Sequence, residues 1–256
     1  GEARLLDPWT VEVNGQRLTA RSIVIATGAR PAVPPIDGLE ACGYLTSDTL
    51  WNLTERPRRL VVLGGGPIGS ELTQAFARLG ATVTQVEMLP RLLSREDPEV
   101  SACVQARFAA EGIDVRVNTK ALRVEQTDGE KHLIVEHDGV EDAIAFDQIL
   151  VAVGRSARLT GFGLEDIGVR TGRTVEVNDF LQTNLPNIFA CGDVAGPYQF
   201  THTASHMAWY AAVNGLFAPL LTLRGGPFKV DYSVIPWATF TEPEVARVGL
   251  SETEAK

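Results

Sequence analysis

Residues 60–71 read LVVLGGGPIGSE, an apolar run that leads into a glycine-rich turn. The run predicts a buried strand, and the residues after the turn predict a helix over about 68–79 that ends at Gly80. In such a unit, Gly64 permits a tight exit from the strand, Gly66 lets a pyrophosphate approach the backbone, and Gly69 lets the helix pack closely on the strand. The stretch therefore predicts a dinucleotide-binding turn.

The helix that follows the turn supplies the rest of the phosphate site. Pro67 and Ile68 lie between the turn and the start of this helix, where unpaired N–H groups and the positive end of the helix dipole favour an anion. Glu71 comes shortly afterwards, and two roles stay open for it. Its carboxylate could complement the dipole, or it could face a nicotinamide ring.

An acidic residue after the next strand indicates which nucleotide is bound. Glu87 ends the strand-like TVTQVE, at about the spacing from the turn expected for a carboxylate that binds an adenosine ribose. A carboxylate there would repel a 2′-phosphate, so NAD(H) is favoured over NADP(H). Arg91 and Arg95 follow closely, and both a solvated position and a contact with a phosphate stay open for them.

The composition narrows the class of function. The chain has 256 residues, 45% of them hydrophobic and 21% charged, with a net charge of −9. This acidic balance argues against nucleic acid or an anionic membrane as a partner and favours small-molecule chemistry. The sequence has no run of the length that spans a membrane and no signal-like start, which predicts a cytoplasmic protein.

Cysteine and histidine patterns predict neither a redox pair nor a metal site. Cys42, Cys103 and Cys191 are far apart and form no CxxC or CxxxxC motif, so we interpret them as structural thiols. His202 and His206 have the i,i+4 spacing of a metal-binding pair, but no third ligand accompanies them. We therefore predict no metal site and interpret both as residues that lie on the helix surface or line a cofactor.

The first part of the chain predicts a hairpin followed by a domain crossing. Residues 10–27 combine the alternating TVEV, the turn sequence Asn14-Gly15 and the apolar SIVIAT, which is typical of a hairpin with a buried strand. Residues 30–35 are rich in proline, which predicts an extended connector.

From Leu60 onward, strand-like and helix-like segments alternate. A second helix is predicted to begin near Asp97-Pro98, and the alternation predicts a parallel, doubly wound sheet. A later apolar strand closes at Gly154, much as the earlier IVIATG run closes at Gly28. THTASHMAWYAAVNGLF predicts a helix up to Gly215, and a change in composition after Gly225-Gly226-Pro227 predicts a further domain.

Four segments in one order carry a resemblance to a known family. They are IVIATGARP (23–31), LVVLGGGPIGSE (60–71), ILVAVGRSAR (149–158) and TNLPNIFACGDVAG (183–196). Together they resemble the FAD-dependent pyridine nucleotide-disulfide oxidoreductases, and most closely their mercuric-reductase-like and dihydrolipoamide-dehydrogenase-like members. IPWATFTEPEVARVGLSETEA resembles the opening of that family's dimerisation domain.

The resemblance implies an α/β fold in which a Rossmann-like NAD(P)-binding domain is inserted into an incomplete FAD-binding domain. It implies the following division: an FAD-domain segment over residues 1–43, the NAD(P)-binding domain over 44–155, a second FAD-domain segment over 156–225, and the start of an α+β dimerisation domain over 226–256. A homodimer is therefore expected for the intact protein. This insertion also explains why the nucleotide turn follows an apolar strand that itself ends in glycine.

The resemblance also implies residue roles. Ala26, Thr27 and Gly28 would pass near the flavin nucleotide, and Gly154 would border the NAD site. Asp193 would hydrogen-bond the FAD ribitol, since a carboxylate at the end of a strand can fix a polyol. Gln199, Phe200, Thr201 and His202 would run beneath the flavin, where a helix N-terminus stabilises negative charge on the reduced ring.

Three features of the family are missing from this sequence. They are the amino-terminal FAD turn, the CxxxxC pair, and the His-Glu pair near the carboxyl terminus. We therefore expect a fragment with no catalytic residue of its own, from a parent enzyme that passes a hydride from NAD(P)H through FAD to a disulfide or a thiol-bound metal. Two alternatives stay open: a ferredoxin-reductase-like or NADH dehydrogenase flavoenzyme without a dithiol, and a non-catalytic nucleotide-binding module.

Overall fold

A computed structural model describes residues 1–223 and 225–256. The first strands are β1 (Ala3–Asp7), β2 (Thr10–Val13), β3 (Gln16–Thr19), β4 (Ile23–Ile25), β5 (Ala29–Pro31), β6 (Leu45–Thr46), β7 (Arg59–Leu63), β8 (Thr82–Val86) and β9 (Asp114–Arg116). The later strands are β10 (Lys120–Thr127), β11 (Glu130–His137), β12 (Val140–Phe146), β13 (Gln148–Val151), β14 (Arg155–Ala157), β15 (Ile188–Ala190), β16 (Pro236–Thr239) and β17 (Val245–Val248).

The helices are α1 (Leu39–Cys42), α2 (Pro67–Arg78), α3 (Pro98–Ala110), α4 (Thr201–Thr222) and α5 (Glu252–Ala255). Single 3₁₀ turns lie at Leu50–Asn52 and Gly192–Val194. The chain divides into two compact units. Unit 1 comprises Gly1–Arg30 and Ser156–Ile235, and unit 2 comprises Pro31–Arg155 and Pro236–Lys256.

Unit 2 is built on a parallel sheet of five strands in the order β6-β13-β7-β8-β9. One face of the sheet buries Leu60, Val62 and Val83 against apolar side chains of α2. The opposite face, which includes Val61 and Ile149, packs against the antiparallel sheet β10-β11-β12. The predicted parallel sheet is confirmed, but an antiparallel sheet covers its second face where a doubly wound fold has helices.

Both predicted helices of unit 2 begin where the sequence placed them. Gly66 is the N-cap of α2 with Pro67 in the first turn, and Asp97 is the N-cap of α3 with Pro98 after it. Proline suits this position because its missing N–H would have no partner in the first turn. Gly80 follows α2 with φ of 90°, a conformation that other residues rarely adopt.

The last residues of unit 2 form a hairpin of β16 and β17 followed by α5. Val245 of this hairpin packs with Leu92, Val104 and Phe108 beside α3. The unit boundary lies between Ile235 and Pro236, about ten residues after the composition change that predicted a new domain. Residues 226–235 belong to unit 1, where Asn214 of α4 exchanges two hydrogen bonds with the backbone of Phe228, at 2.8 and 2.9 Å.

Unit 1 contains the antiparallel meander β1-β2-β3 and a parallel pair of β4 with β15. The predicted turn at Asn14-Gly15 is present, but it joins β2 to β3. The expectation that the apolar SIVIAT belongs to this hairpin was wrong. Its residues Ile23–Ile25 form β4, which pairs in parallel with the distant β15, and Ile25 is buried there in the core of unit 1.

Helix α4 runs beyond its expected end at Gly215 and reaches Thr222. Gly215 serves packing, because an added Cβ would lie 3.4 Å from both the Phe189 ring and the Ser22 side chain. Ser22 Oγ also donates to the Gly215 carbonyl at 2.9 Å. Among the described residues, none of the helices combines the length and apolar character needed to cross a membrane.

Candidate functional site

The glycine turn lies at the carboxyl end of β7, at the point where the order of the sheet reverses. From β7 the chain continues to β8 and β9 on one side, whereas β13 and β6 lie on the other. Open parallel sheets bind ligands in the crevice that such a reversal leaves. Gly154 follows β13 at the same edge, and an added Cβ at Gly64 would lie 2.4 Å from the Ala152 carbonyl oxygen. The structure therefore brings Gly64 and the end of β13 together across the crevice.

The three glycines of the turn differ in what surrounds them. Gly64 has φ of 110°, which strains any residue with a side chain. At Gly69 an added Cβ would lie 2.1 Å from the Gly64 carbonyl oxygen, so the helix could not sit this close to the strand. At Gly66, by contrast, an added Cβ would meet no described atom within 4 Å, and its φ of −76° suits any residue. Only this position leaves open space above the turn.

The carbonyl groups of the turn have partners within unit 2. The Gly64 oxygen accepts from Gln85 Nε2 at 3.0 Å, the Gly65 oxygen from Leu93 N at 2.7 Å, and the Gly66 oxygen from Ser70 N at 2.9 Å. The amides of Ile68 and Gly69 lie in the first turn of α2, where a helix offers no carbonyl partner. The turn therefore uses its acceptors internally and keeps donors at the helix N-terminus for an anion.

Glu87 lies immediately after β8 and is tied to the turn itself. One carboxylate oxygen accepts the N–H of Gly65, and the other accepts the N–H of Leu89 at 2.7 Å. The residue as a whole is half-buried beside the turn. The sequence predicted the position of this carboxylate but missed its bond to Gly65.

The two arginines that follow Glu87 are placed differently. Arg91 donates from Nη2 to the carbonyl oxygens of Ser94 at 3.0 Å and Glu96 at 3.4 Å, so it stabilises its own loop. Arg95 is exposed, and its carbonyl oxygen accepts from Arg247 at 3.0 Å. The guanidinium of Arg91 therefore binds the backbone of its own loop, a role that the sequence analysis did not consider.

Glu71 and Gln74, on successive turns of α2, contact the segment after β16. Glu71 Oε1 accepts the backbone N–H of Phe240 at 2.9 Å. The side-chain amide of Gln74 accepts from Glu242 N at 2.7 Å and donates to Glu242 O at 2.9 Å. No motif in the sequence indicated these contacts, because they join residues more than 160 positions apart.

A cluster of ion pairs lies at the far end of α2. Glu111 accepts from Arg78 and from Arg107, each at 2.7 Å, and Glu242 lies 2.6 Å from Arg78. The Arg78 guanidinium holds the pKa of the Glu111 carboxyl below its ordinary value. Because the charges balance one another and lie at the opposite end of the helix from the turn, the cluster stabilises the packing of unit 2.

In unit 1, the residues that resemble a flavin site lie at one edge of the β4–β15 pair. Because these strands run parallel with Ile25 opposite Ala190, their carboxyl ends meet. Ala26, Thr27 and Gly28 follow β4, and Asp193 follows β15 in a 3₁₀ turn. Thr27 Oγ1 donates to the Arg158 carbonyl oxygen at 3.2 Å, and Gly28 has φ of 69°.

The N-terminus of α4 lies against the same edge. An added Cβ at Gly192 would lie 3.2 Å from Ala204 Cβ, so the turn that carries Asp193 contacts the first turn of the helix. Phe200 is the N-cap, Thr201 begins the helix, and Gln199 is exposed just before it. The rings of Phe200 and His202 stack with centroids 5.5 Å apart and an interplanar angle of 9°.

The thiol and imidazole groups of unit 1 have structural surroundings. Cys191 is buried, and burial raises the pKa of its thiol, so a smaller fraction of it is present as the reactive thiolate. His206 Nε2 lies 2.8 Å from the Asp231 carbonyl oxygen, so this ring nitrogen carries the proton that it donates. Within residues 1–223 and 225–256, no three His, Cys, Asp or Glu side chains group as a metal site requires.

Known proteins resemble this chain in both sequence and structure. Residues 1–208 match the family model described as pyridine nucleotide-disulphide oxidoreductase. A mercuric reductase from Lysinibacillus sphaericus shares 42% sequence identity with the whole chain, and the matched region is 46% of that protein's length. A dihydrolipoyl dehydrogenase from Thermus scotoductus shares 36% identity with the whole chain, and the matched region is 54% of its length. The HOCl-induced flavoprotein disulfide reductase RclA from Escherichia coli is similar in structure, with a TM-score of 0.86 and 30% sequence identity. The similarity covers the whole of this chain and 57% of the RclA chain.

The chain spans about half the length of the curated relatives it matches. The family match nevertheless covers most of this sequence, including both the glycine turn and the edge of unit 1 at Asp193. The α/β architecture with a parallel sheet, and the resemblance that the four sequence segments indicated, are confirmed. This chain belongs to the pyridine nucleotide-disulphide oxidoreductase family.

Proposed function

We propose that unit 2 binds NAD(H) at the turn after β7, and that the intact protein is an FAD-dependent oxidoreductase that uses NAD(P)H to reduce a disulfide or a thiol-bound metal. A bound FAD would supply the two-electron chemistry that connects NAD(P)H to the substrate. The mercuric reductase and dihydrolipoyl dehydrogenase relatives support this choice of substrate class.

The observation that carries the proposal is the open space at Gly66. The two outer glycines permit close packing of strand and helix, whereas the middle glycine has no described atom within 4 Å of an added Cβ. A pyrophosphate there would contact the backbone and accept from the first-turn amides of Ile68 and Gly69. Because Pro67 donates no N–H, it shapes the start of the helix without contributing a donor.

The carboxylate of Glu87 supports NAD(H) over NADP(H). A carboxylate accepts up to about four hydrogen bonds, so Glu87 can bind ribose hydroxyls while it still accepts from Gly65 and Leu89. A 2′-phosphate at this point would meet a negative charge instead. Gly154, at the end of β13, would border the nicotinamide half of the nucleotide, and Glu71 would lie on the helix beside it.

Unit 1 would supply part of the FAD site. Asp193 would accept hydrogen bonds from the ribitol, and the chain at Ala26–Gly28 would pass the flavin nucleotide. Gln199–His202 would lie under the isoalloxazine ring, with the N-terminus of α4 favouring negative charge on it. The close approach of the two strand ends and of α4 supports this assignment.

The proposed domains follow the family resemblance. Residues 1–43 and 156–225 would belong to the FAD domain, 44–155 to the NAD(P) domain, and 226–256 to the start of a dimerisation domain. The intact protein would then be a homodimer, and we propose that it acts in the cytoplasm.

The test is NADH binding by the 256-residue chain, measured by calorimetry on the parent and on two glycine variants. Gly66→Ala should weaken NADH binding by about tenfold, because the new methyl group occupies the space of the pyrophosphate. Gly172→Ala is the matched control, since its nearest neighbour would lie 3.8 Å from the new Cβ in an exposed turn of unit 1. Neither variant should change the urea midpoint.

Two results would contradict the proposal. One is a parent chain that does not bind NADH at all. The other is a Gly66→Ala variant that binds NADH as tightly as both the parent and Gly172→Ala, since the turn would then not be the site.

A further inference from the structure

A buried glutamine lies directly beneath the glycine turn. Gln85 is on β8, opposite Val62 in the parallel sheet, and its side chain is fully buried on the face that packs against α2. Its neighbours on this face, Leu60 and Val83, are apolar, and an apolar side chain would satisfy the packing equally well. Since burying an amide costs free energy unless it is hydrogen-bonded, the role of Gln85 follows from its bonds.

Those bonds go to the turn. Gln85 Nε2 donates to the Gly64 carbonyl oxygen at 3.0 Å and lies 3.4 Å from Ser70 Oγ. Ser70, also fully buried, donates in turn to the Gly65 carbonyl oxygen at 3.4 Å. Gln85 Oε1 has no partner among the described residues, so the amide gives up half of its hydrogen-bonding capacity to hold this position.

Gln85 and Glu87 together hold both ends of one peptide unit. The Gly64 carbonyl is bound by Gln85, and the N–H of the same Gly64–Gly65 peptide is bound by Glu87. Gly64 has φ of 110°, and a glycine-flanked peptide can rotate more easily than any other. If it rotated, a carbonyl oxygen would turn toward the anion and an N–H toward the interior. The two side chains therefore fix the polarity of the turn.

We propose that Gln85, with the help of Ser70, is a positioning residue that keeps the Gly64–Gly65 peptide oriented for a pyrophosphate. This inference rests on the proposed binding of NAD(H) at the turn. Gln85 does not touch the nucleotide; it acts through the Gly64 carbonyl. Its cost is the unpaired Oε1, and its benefit is a turn that needs no reorganisation when the nucleotide binds.

The test replaces Gln85 with an apolar side chain of similar length and measures stability and binding separately. Gln85→Met leaves the Gly64 carbonyl without this donor, which costs stability, but it also removes the unpaired Oε1, which restores some, so the urea midpoint should change little. NADH affinity should nevertheless fall by about three- to tenfold, the worth of one neutral hydrogen bond. Hydrogen exchange of the Gly65 amide should become faster, because its peptide is held at one end only.

The matched control is the other buried glutamine of this unit. Gln74→Met removes two bonds to the Glu242 backbone away from the turn, so the urea midpoint should fall while NADH affinity and Gly65 exchange stay at parental values. Ser70→Ala is a second variant that leaves Gln85 in place, and it should weaken NADH binding by about two- to threefold.

The outcomes separate this inference from the proposed function. If the parent binds NADH and Gln85→Met binds it equally well, the positioning role is wrong and the site stands. A smaller loss of NADH affinity in Gln85→Met than in Gln74→Met would also overturn the role. A parent chain without NADH binding overturns both.

Discussion

The two units place their candidate sites at the same kind of position, the carboxyl ends of parallel strands beside a helix N-terminus, but they assemble them differently. In unit 2, the strand, the turn and the helix come from one continuous stretch, residues 60–71. In unit 1, the corresponding edge combines residues 26–28, 191–193 and 199–202. The first site is local in the chain and the second is assembled from distant segments.

This difference decides how each site is stabilised. The turn of unit 2 is flanked on both sides by parallel strands, and its carbonyls are bound by Gln85, Leu93 and Ser70. In the described part of unit 1, β4 pairs with β15 alone in its sheet, and Asp193 lies in a short 3₁₀ turn after the second strand. We therefore expect unit 2 to bind its nucleotide without help, and unit 1 to contribute only some of the contacts that a flavin requires.

The largest expected contrast is between two nucleotides on the same chain. This chain carries one GxGxxG turn, at Gly64–Gly69. Calorimetry should show stoichiometric NADH binding, and FAD should bind more weakly by about a hundredfold or more, ~2.7 kcal/mol. Gel filtration with added FAD should yield a colourless protein. A yellow protein with one FAD per chain would contradict the difference between the units.

The next largest effect concerns the packing of the turn. Gly69→Ala places a Cβ 2.1 Å from the Gly64 carbonyl oxygen, a backbone atom, and because a Cβ is fixed rigidly to its own backbone, one of the two segments must move. The free energy of unfolding should fall by about 2 kcal/mol, within the range of overpacked cores, as measured by urea denaturation. Gly66→Ala, three residues earlier, is the control and should leave the urea midpoint unchanged because its Cβ meets open space.

A third effect concerns nucleotide preference at Glu87. Glu87→Arg exchanges a carboxylate that repels a 2′-phosphate for a guanidinium that binds one, and it also removes the acceptor for Gly65 and Leu89. The ratio of NADH to NADPH affinity should fall by about tenfold, ~1.4 kcal/mol, in parallel titrations. Glu87→Gln serves as the control, since it removes the charge without adding a cation. An unchanged ratio in Glu87→Arg would exclude Glu87 from nucleotide recognition.

The same contrast between local and assembled sites explains what the sequence could predict. The turn at Gly64–Gly69 and the starts of α2 and α3 depend on residues that are neighbours in the sequence, so the sequence pattern was sufficient to predict them. The residues at Asp193 and Gln199–His202 could be connected only through the family resemblance. No periodicity in the sequence indicates that β4 and β15 pair.

The features that were missed depend on tertiary contacts. Gly215 predicted a helix end, yet α4 continues because the glycine permits contact with Phe189 and Ser22. The antiparallel sheet β10-β11-β12 covers the face of unit 2 where the predicted doubly wound sheet would have helices. In the sequence, Gln85 is one polar residue in a predicted strand, and no pattern indicates its hydrogen bond to the Gly64 carbonyl.

The smallest expected effect compares ion pairs of the two units under acid. In unit 2, Arg78 lowers the pKa of Glu111 below its ordinary value of 4.5. A carboxyl with a lowered folded-state pKa contributes stability above its unfolded pKa, and this contribution disappears as pH falls through the folded value. The parent should therefore lose stability below about pH 4.5 more steeply than Arg78→Met, as measured by urea midpoints from pH 7 to 3.

In unit 1, Arg17 is 71% exposed and pairs with Glu12 at 3.5 Å, so Arg17→Met should retain the parental slope. Equal slopes for the parent and Arg78→Met would mean that the cluster at the end of α2 adds no acid-sensitive stability to unit 2.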